Sequence, residues 1–295
     1  MSRVRGTRVG LALLLSLAAS GCSPYAVAER FLLGDQFELA RDIPYAGGQR
    51  HRLDVYRPRT PHGVAPVVVF LYGGRWQDGS KDEYHLVGDA LTRAGLVAVI
   101  PEYRLYPSVR FPTWVEDAAA AVRWTRDNIG RFGGDPDRIF VVGHSAGGHT
   151  AALLGVDASY LRAAGVPRAA VRGIVVLAGP VDTVWTDPDV QALMGPRAGW
   201  AATYPATHVD GAEPPFLLLH GARDRRVSPG NSARFEVRLR ERGGCVRRIL
   251  YPGLGHVGIV VALAVPRLFR APVFEDIRRF IASPAGSACP ATAGR

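Results

Sequence analysis

Residues 143–147 read Gly-His-Ser-Ala-Gly, which places a serine between two glycines in the pattern G-x-S-x-G. An apolar run at 139–142 precedes the pattern and small residues follow it, which predicts a sharp turn from a strand into a helix. Such a turn lifts the Ser145 hydroxyl clear of the sheet and leaves the N–H of Ala146 at a helix N-terminus. The glycines suit this turn because a Cβ atom would clash there. The pattern therefore indicates a nucleophilic serine.

A serine nucleophile needs a general base, and the base needs a carboxylate to orient it. Asp224 follows the apolar run 216–219, and His256 lies in a glycine-rich segment after the run 249–251. In open α/β sheets, functional side chains collect where the strands end. We therefore expect Ser145, His256 and Asp224 to act as the catalytic nucleophile, base and acid.

Other polar residues near these segments have alternative interpretations. Asp182 is the rival carboxylate, because it follows the strand predicted before that of Asp224. His144 is expected to point into the core and His149 to be structural. His220 is expected to support the segment 222–228 that carries Asp224, called the acid loop below.

A glycine pair after the apolar run 67–71 predicts the remaining part of the site. Residues 72–76 read Tyr-Gly-Gly-Arg-Trp, and consecutive glycines let backbone N–H groups face a pocket. We expect the N–H groups of Gly74, Arg75 and Ala146 to form an oxyanion hole.

Strands that alternate with helices must position these residues. The alternation predicts an α/β fold with a mostly parallel, twisted sheet of about eight strands and helices on both faces. The stretch 181–210 is long for a plain connection, which favours a small lid or pocket wall. The predicted strands are 53–56, 67–71, 96–100, 139–142, 174–177, 216–219 and 249–251, and the predicted helices are 82–94, 117–129, 145–155, 229–242 and 271–282.

Further motifs occur in a fixed order before the turn at residues 143–147. They are Tyr72–Trp76, Gly79–Lys81, Tyr103–Leu105, Phe111–Pro112 and Gly133–Pro136. With Asp224 and His256 they resemble α/β-hydrolase fold carboxylesterases, near the hormone-sensitive-lipase-like and feruloyl-esterase-like branch. The resemblance covers about residues 45–282. It implies hydrolysis of a small-molecule ester through an acyl-enzyme at Ser145, with no metal or organic cofactor. The family usually has His where this chain has Tyr72, and often Gly where it has Arg75.

Two other functions remain open from the residues alone. The same triad serves the hydrolysis of amides, formamides or peptides, because only the leaving group differs. A lipoprotein that uses this fold only for binding is the other alternative, since function belongs to the site and not to the fold. The complete triad favours catalysis.

The N-terminus has the features of an export signal. Arg3, Arg5 and Arg8 precede an apolar stretch at 9–19, which is too short to span a bilayer as a mature helix. Ala-Ser-Gly then leads to Cys22, and this segment resembles a bacterial lipobox, which implies lipidation of that cysteine. An ordinary cleaved signal peptide is the alternative. We therefore expect an envelope protein that a lipid anchors to a membrane, on its periplasmic or extracytoplasmic face.

These observations divide the chain into four parts. Residues 1–21 are expected to be the signal peptide, 22–44 a tether with a short helix, 45–282 the hydrolase domain, and 283–295 a disordered tail. Cys245 and Cys289 would remain after processing, and whether they pair is left open.

Composition narrows the classes of partner. The 295 residues are 47% hydrophobic, which suits a globular core, and carry a formal charge of +10. No basic run with interleaved aromatic residues is present, so a nucleic-acid groove is not expected. Nothing in the sequence indicates an obligatory protein partner.

Overall fold

The computed structural model describes residues 37–60 and 63–283. This part of the chain forms one eight-stranded sheet with helices packed against it. None of its helices combines the length and the apolar character that crossing a membrane requires. Cys245 is disulfide-bonded. The predicted signal peptide, Cys22, residues 22–36 of the expected tether, Cys289 and the tail beyond Ser283 lie outside the described residues.

The sheet contains the strands β1 (Phe37–Pro44), β2 (Arg52–Pro58), β3 (Ala65–Leu71), β4 (Val97–Pro101), β5 (Gly134–His144), β6 (Val171–Leu177), β7 (Phe216–Gly221) and β8 (Val246–Tyr251). The helices are α1 (His85–Arg93), α2 (Thr113–Asn128), α3 (Ala146–Val156), α4 (Ala158–Ala163), α5 (Pro188–Met194), α6 (Gly230–Glu241), α7 (His256–Ala264) and α8 (Val273–Ala282). Helices α2, α3 and α4 contact one another, and α1 and α8 both contact α7.

The strand order is β1-β2-β4-β3-β5-β6-β7-β8. The pairs β1–β2 and β2–β4 are antiparallel, and every other pair is parallel. The predicted fold class, a mostly parallel sheet of about eight strands, is therefore confirmed. The carboxyl ends of β5, β7 and β8 lie side by side or nearly so, which brings the segments that follow them to one edge of the sheet.

The central strands form because their side chains are apolar on both faces. Val67–Leu71 of β3 and Phe216–Leu219 of β7 are fully or almost fully buried. A parallel strand that is covered by helices on both sides needs such a continuous apolar run.

Strand β1 corrects the predicted domain boundary. Residues 22–44 were expected to be a tether and the domain to begin at residue 45, whereas Phe37–Pro44 pairs with β2 in the sheet. The strand lies at the edge of the sheet and its residues are half-buried or exposed. It therefore carries no apolar run, and its register shifts between Ala40 and Ile43, where Asp42 has a φ of 54°.

Candidate active site

Ser145 occupies a strained turn between β5 and α3. Its φ and ψ angles are 55° and −118°, a conformation that residues with a side chain rarely adopt. The turn is held by two backbone hydrogen bonds: the N–H of Ser145 donates to Leu177 O at 2.9 Å, and the N–H of His149 donates to Ser145 O at 3.0 Å. Such strain persists where the surroundings enforce it, and it is often found at functional sites.

The two glycines beside Ser145 are required by close backbone approach. A Cβ atom on Gly143 would lie 2.2 Å from Gly147 O, and one on Gly147 would lie 2.1 Å from Leu71 O. Both oxygen atoms belong to the backbone, so they cannot make room by a side-chain rotation. The first glycine is therefore required where the end of β5 meets the start of α3, and the second where the start of α3 packs against the end of β3.

The structure brings the three predicted triad residues together. Nε2 of His256 lies 2.8 Å from Ser145 Oγ, and Nδ1 of His256 lies 2.8 Å from Asp224 Oδ2. Asp224 follows β7, and His256 opens α7 shortly after β8. This is the geometry in which Nδ1–H donates to the carboxylate and Nε2 accepts the serine proton.

Asp224 is held in its ionised form. Its Oδ1 accepts hydrogen bonds from the N–H groups of Arg226 and Val227, each at 2.9 Å. Burial opposes ionisation, but the hydrogen bonds from His220, His256 and Val227 keep the pKa of Asp224 well below its usual range. His220 lies 3.4 Å from Oδ2, where it supports the acid loop as expected.

His144 holds the backbone of His256, the predicted base. It is buried, and its Nε2 lies 2.9 Å from the carbonyl oxygen of His256, so Nε2–H is the donor. Burial, with a smaller contribution from His256, lowers the pKa of His144 to about 4. The ring is therefore neutral near pH 7 and adds no positive charge beside the imidazole of His256.

The rival carboxylate Asp182 lies in a different set of contacts. Its Oδ2 is 3.5 Å from Nε of Arg234 and 3.5 Å from Nε of Arg238, both on α6. Its backbone N–H donates to Asn231 Oδ1 at 3.3 Å. Asp182 thus ties the segment after β6 to α6, and within the described residues no hydrogen bond joins it to His256.

The predicted oxyanion loop, residues 72–76, makes a tight turn after β3. Gly74 O accepts the N–H groups of Gln77 and Asp78 at 3.0 and 2.9 Å. Gly74 has a φ of 133°, and a Cβ atom there would lie 2.0 Å from Asp78 O, so no other residue fits. Within residues 37–60 and 63–283, the N–H groups of Gly74, Arg75 and Ala146 donate to no protein acceptor. These three donors are therefore free of protein acceptors, and Arg75 and Ala146 line the same cavity as Ser145.

Tyr72 supports this loop in place of the usual histidine. Its hydroxyl donates to Glu102 Oε2 at 2.8 Å and accepts from Nη2 of Arg50 at 2.8 Å. The other carboxylate oxygen of Glu102 accepts from Ser80 Oγ and the N–H of Lys81, both at 2.9 Å. Burial, and then the nearby phenol and carboxylate groups, raise the pKa of Tyr72, which stays a neutral donor. Glu102 was missed from the sequence, although it directly follows β4.

The structural role of Lys81 could also not be predicted from the sequence. It is the only lysine of the chain and is buried, with Nζ 2.9 Å from Asp42, 3.0 Å from Asp54 and 2.9 Å from Asp82. Burial lowers its pKa, but the three carboxylates outweigh that effect and raise it. The ammonium group joins β1 and β2 to the segment that follows the oxyanion loop.

A cavity of about 390 Å³ opens beside Ser145. The stretch 181–210, which was expected to be a lid or pocket wall, supplies residues 183–187 and Val190 to its lining. The acid loop forms another side with residues 225–228, and Trp76 of the oxyanion loop also lines it. Ser145, the predicted nucleophile, therefore lines a pocket made mostly of loops that follow strands.

The pocket wall rests on buried aromatic residues. Trp185 Nε1 donates to Thr203 Oγ1 at 2.6 Å, and His149 Nε2–H donates to Thr203 O at 2.7 Å. The rings of Trp76 and Trp185 pack edge to face at 6.0 Å. Burial lowers the pKa of His149 to about 4, so this histidine is a neutral structural donor, as expected. These contacts fix the wall to α3 and to the oxyanion loop.

Comparison with known proteins identifies relatives of the chain. A family model described as BD-FAE matches residues 53–239. The probable isoprenylcysteine alpha-carbonyl methylesterase ICMEL1 of Arabidopsis thaliana is 26% identical, over 85% of this chain and 59% of its own length. Esterase LipC of Mycobacterium tuberculosis is 32% identical, over 73% of this chain and 59% of its own length. The structure of an inhibited esterase B from Lactobacillus rhamnosis has a TM-score of 0.74 at 20% identity, over 93% of this chain and 96% of that one.

These matches differ in what they cover. The chain spans 59% of the length of both curated relatives. The match to esterase B concerns nearly the whole of both chains, and at 20% identity it is a likeness of fold. Together with the strand order, it confirms the α/β-hydrolase architecture expected from the ordered motifs.

Proposed function

Since the chain belongs to the BD-FAE family, we propose that it is a serine carboxylesterase that forms an acyl-enzyme at Ser145. The hydrogen-bonded chain from Ser145 through His256 to Asp224 carries the proposal, with 2.8 Å at each step. The names of the curated relatives, a methylesterase and an esterase, support ester hydrolysis over other uses of the fold.

The geometry gives each residue a step in the reaction. Ser145 Oγ attacks the ester carbonyl carbon while its proton passes to His256 Nε2. The carbonyl oxygen becomes an oxyanion that accepts the N–H groups of Gly74, Arg75 and Ala146. Collapse of this intermediate breaks the bond to the alcohol, which leaves with the proton from His256. Water, deprotonated by His256, then attacks the acyl-enzyme; the bond to Ser145 Oγ breaks, the acid is released, and Ser145 Oγ takes the proton back from His256.

The electrostatics of the site support a serine that is reactive at neutral pH. The ionised Asp224 holds Nδ1–H of His256, so Nε2 is free to accept a proton, and it stabilises the imidazolium that results. Each oxyanion donor in comparable sites lowers the barrier by about 3–4 kcal/mol. Donors that are already in place cost no reorganisation when the charge develops.

Turnover of paired esters and amides tests this function. We expect hydrolysis of 4-nitrophenyl acetate, butyrate and hexanoate, and rates lower by orders of magnitude on the matching 4-nitroanilides. Absorbance of the released chromophore measures both reactions, with the Ser145→Ala variant as background. Comparable rates on esters and anilides would favour an amidase, and no turnover of any ester would contradict catalysis.

The proposal extends to the location of the enzyme. Cys22 follows Ala-Ser-Gly at the end of an apolar segment that begins after Arg8, an arrangement typical of bacterial lipoproteins. We propose that Cys22 carries the lipid anchor and that the catalytic domain lies at a membrane surface outside the cytoplasm. Lipid chains contribute about 0.8 kcal/mol per buried CH₂, so two or three chains anchor a protein stably where one is marginal.

Replacement of Cys22 by serine tests the anchor. We expect the variant to move from the membrane pellet to the soluble or secreted fraction, with its esterase activity retained. Fractionation with immunoblotting measures the shift, and metabolic labelling with a fatty acid should mark only the wild type. A wild-type protein that is already fully soluble would favour an ordinary cleaved signal peptide.

A further inference from the structure

The cavity beside Ser145 carries an excess of positive charge. Its ionisable lining residues are Arg75, Asp187, Arg225 and Arg226. Arg75 and Asp187 pair with each other, with Nη2 and Oδ2 at 2.9 Å. Among the residues that the structure describes, neither Arg225 nor Arg226 has a side-chain hydrogen bond or an ion pair. Two uncompensated guanidinium groups therefore border the cavity.

The backbone below these two arginines is firmly placed. They directly follow Asp224, whose Oδ1 accepts the N–H groups of Arg226 and Val227. Both side chains are exposed, so they are not stabilised by packing in the core. The positive charge of Arg226 also acts on the buried His144, where its repulsion makes a small contribution to the lowered pKa of that imidazole. The acid loop thus fixes where two exposed positive side chains leave the backbone, at the cavity that Ser145 also lines.

The rest of the lining offers nothing that neutralises them. Apart from Asp187, which Arg75 already neutralises, the remaining residues are apolar, aromatic or uncharged polar. Adjacent like charges repel each other, and an anion between them would remove that repulsion. Arginine binds carboxylates and other oxyanions through paired N–H donors, and it is weakly hydrated. The chemistry of this side of the cavity fits a negatively charged oxygen group.

We propose that the cavity selects esters that carry a second, anionic group, a carboxylate or a comparable oxyanion, which Arg225 and Arg226 bind. This assignment rests on the proposed esterase function and names its substrate class. The two arginines are specificity-determining residues, and the triad performs the hydrolysis.

A general basic surface is the competing explanation, because the chain has a formal charge of +10. Arg223 provides the matched control. It lies in the same loop, one residue before Asp224, and it is exposed, but it does not line the cavity. Substitution of Arg223 by glutamine removes one positive charge, as each of the substitutions at Arg225 and Arg226 does, at nearly the same distance in sequence from Asp224.

The experiment compares the full-length enzyme and its variants on charged and neutral ester pairs. Mono-4-nitrophenyl adipate carries the anion on the acyl side, and 4-nitrophenyl 6-methylheptanoate replaces its carboxylate by an isopropyl group. On the alcohol side, 3-acetoxybenzoate is paired with 3-methylphenyl acetate. The readout is the ratio of kcat/KM for the anionic ester to kcat/KM for its neutral partner, at low and high salt.

We expect at least one pair to show a ratio that falls about tenfold in the Arg225→Gln/Arg226→Gln variant, the scale for two partly exposed charge contacts. In the wild type the ratio should also be lower at high salt than at low salt. At a given salt concentration, the ratio of the Arg223→Gln variant should equal that of the wild type. The pair that responds identifies the side of the ester that carries the anion. A ratio that changes less than twofold for both pairs, or equally in Arg223→Gln, overturns the substrate assignment and leaves the esterase function intact. If the wild type hydrolyses none of the four esters, both proposals fail.

Discussion

Replacement of Ser145 by alanine is expected to lower kcat on 4-nitrophenyl butyrate by at least about 10⁴-fold, because no other group can form the acyl-enzyme. A fluorophosphonate probe, which forms a covalent bond only with an activated serine, should label the wild type and leave this variant unlabelled. His256→Ala should reduce labelling as severely, since the hydroxyl would lose the base that lies 2.8 Å from it. In-gel fluorescence and steady-state kinetics measure the two effects.

Ser228 offers a control within the same cavity. Its hydroxyl accepts the N–H of Gly230 at 3.2 Å, and within the part of the chain that the structure describes no hydrogen bond joins it to His256. Ser228→Ala should therefore be labelled at the wild-type rate. Equal labelling of the wild type and the Ser145→Ala variant would show that the probe reacts elsewhere, and it would remove Ser145 from the mechanism.

The strands that could be predicted from the sequence are those with a continuous apolar run. Strands β3 and β7 are covered on both faces, so every residue of the run must be apolar and the pattern is visible. Strand β1 could not be found in this way. It lies at an edge, where its residues are half-buried or exposed, and Glu38, Arg41 and Asp42 interrupt any apolar pattern.

A similar division holds within the site. Ser145, Asp224 and His256 could be placed because each follows a recognisable strand, and the ends of parallel strands meet at one edge of the sheet. The supporting contacts could not be predicted. Glu102 meets the hydroxyl of Tyr72 across 30 residues of sequence, and Arg75 meets Asp187 across 112. Such pairs depend on the exact path of loops, which no local pattern encodes.

Replacement of Asp224 by asparagine is expected to lower kcat by about 10⁴-fold while the fold persists. The asparagine amide would turn its N–H₂ group toward Nδ1 of His256, since its oxygen is needed by the N–H groups of Arg226 and Val227. Nδ1 would then accept instead of donating, and the proton would lie on Nε2, facing Ser145. A protonated Nε2 cannot take the serine proton, so the nucleophile loses its activation.

Asp182→Asn is the matched comparison, because Asp182 also follows a strand of the same sheet. Its carboxylate faces Arg234 and Arg238 at 3.5 Å, so the loss of its charge weakens the attachment of α6 and leaves the imidazole tautomer unchanged. We expect kcat within a few-fold of the wild type and a lower melting temperature, whereas Asp224→Asn should lose activity with a far-ultraviolet circular dichroism spectrum like that of the wild type. If Asp182→Asn were the more damaging change to kcat, the acid would have to be reassigned. The 2.8 Å contact between Asp224 and His256 would then be a structural one.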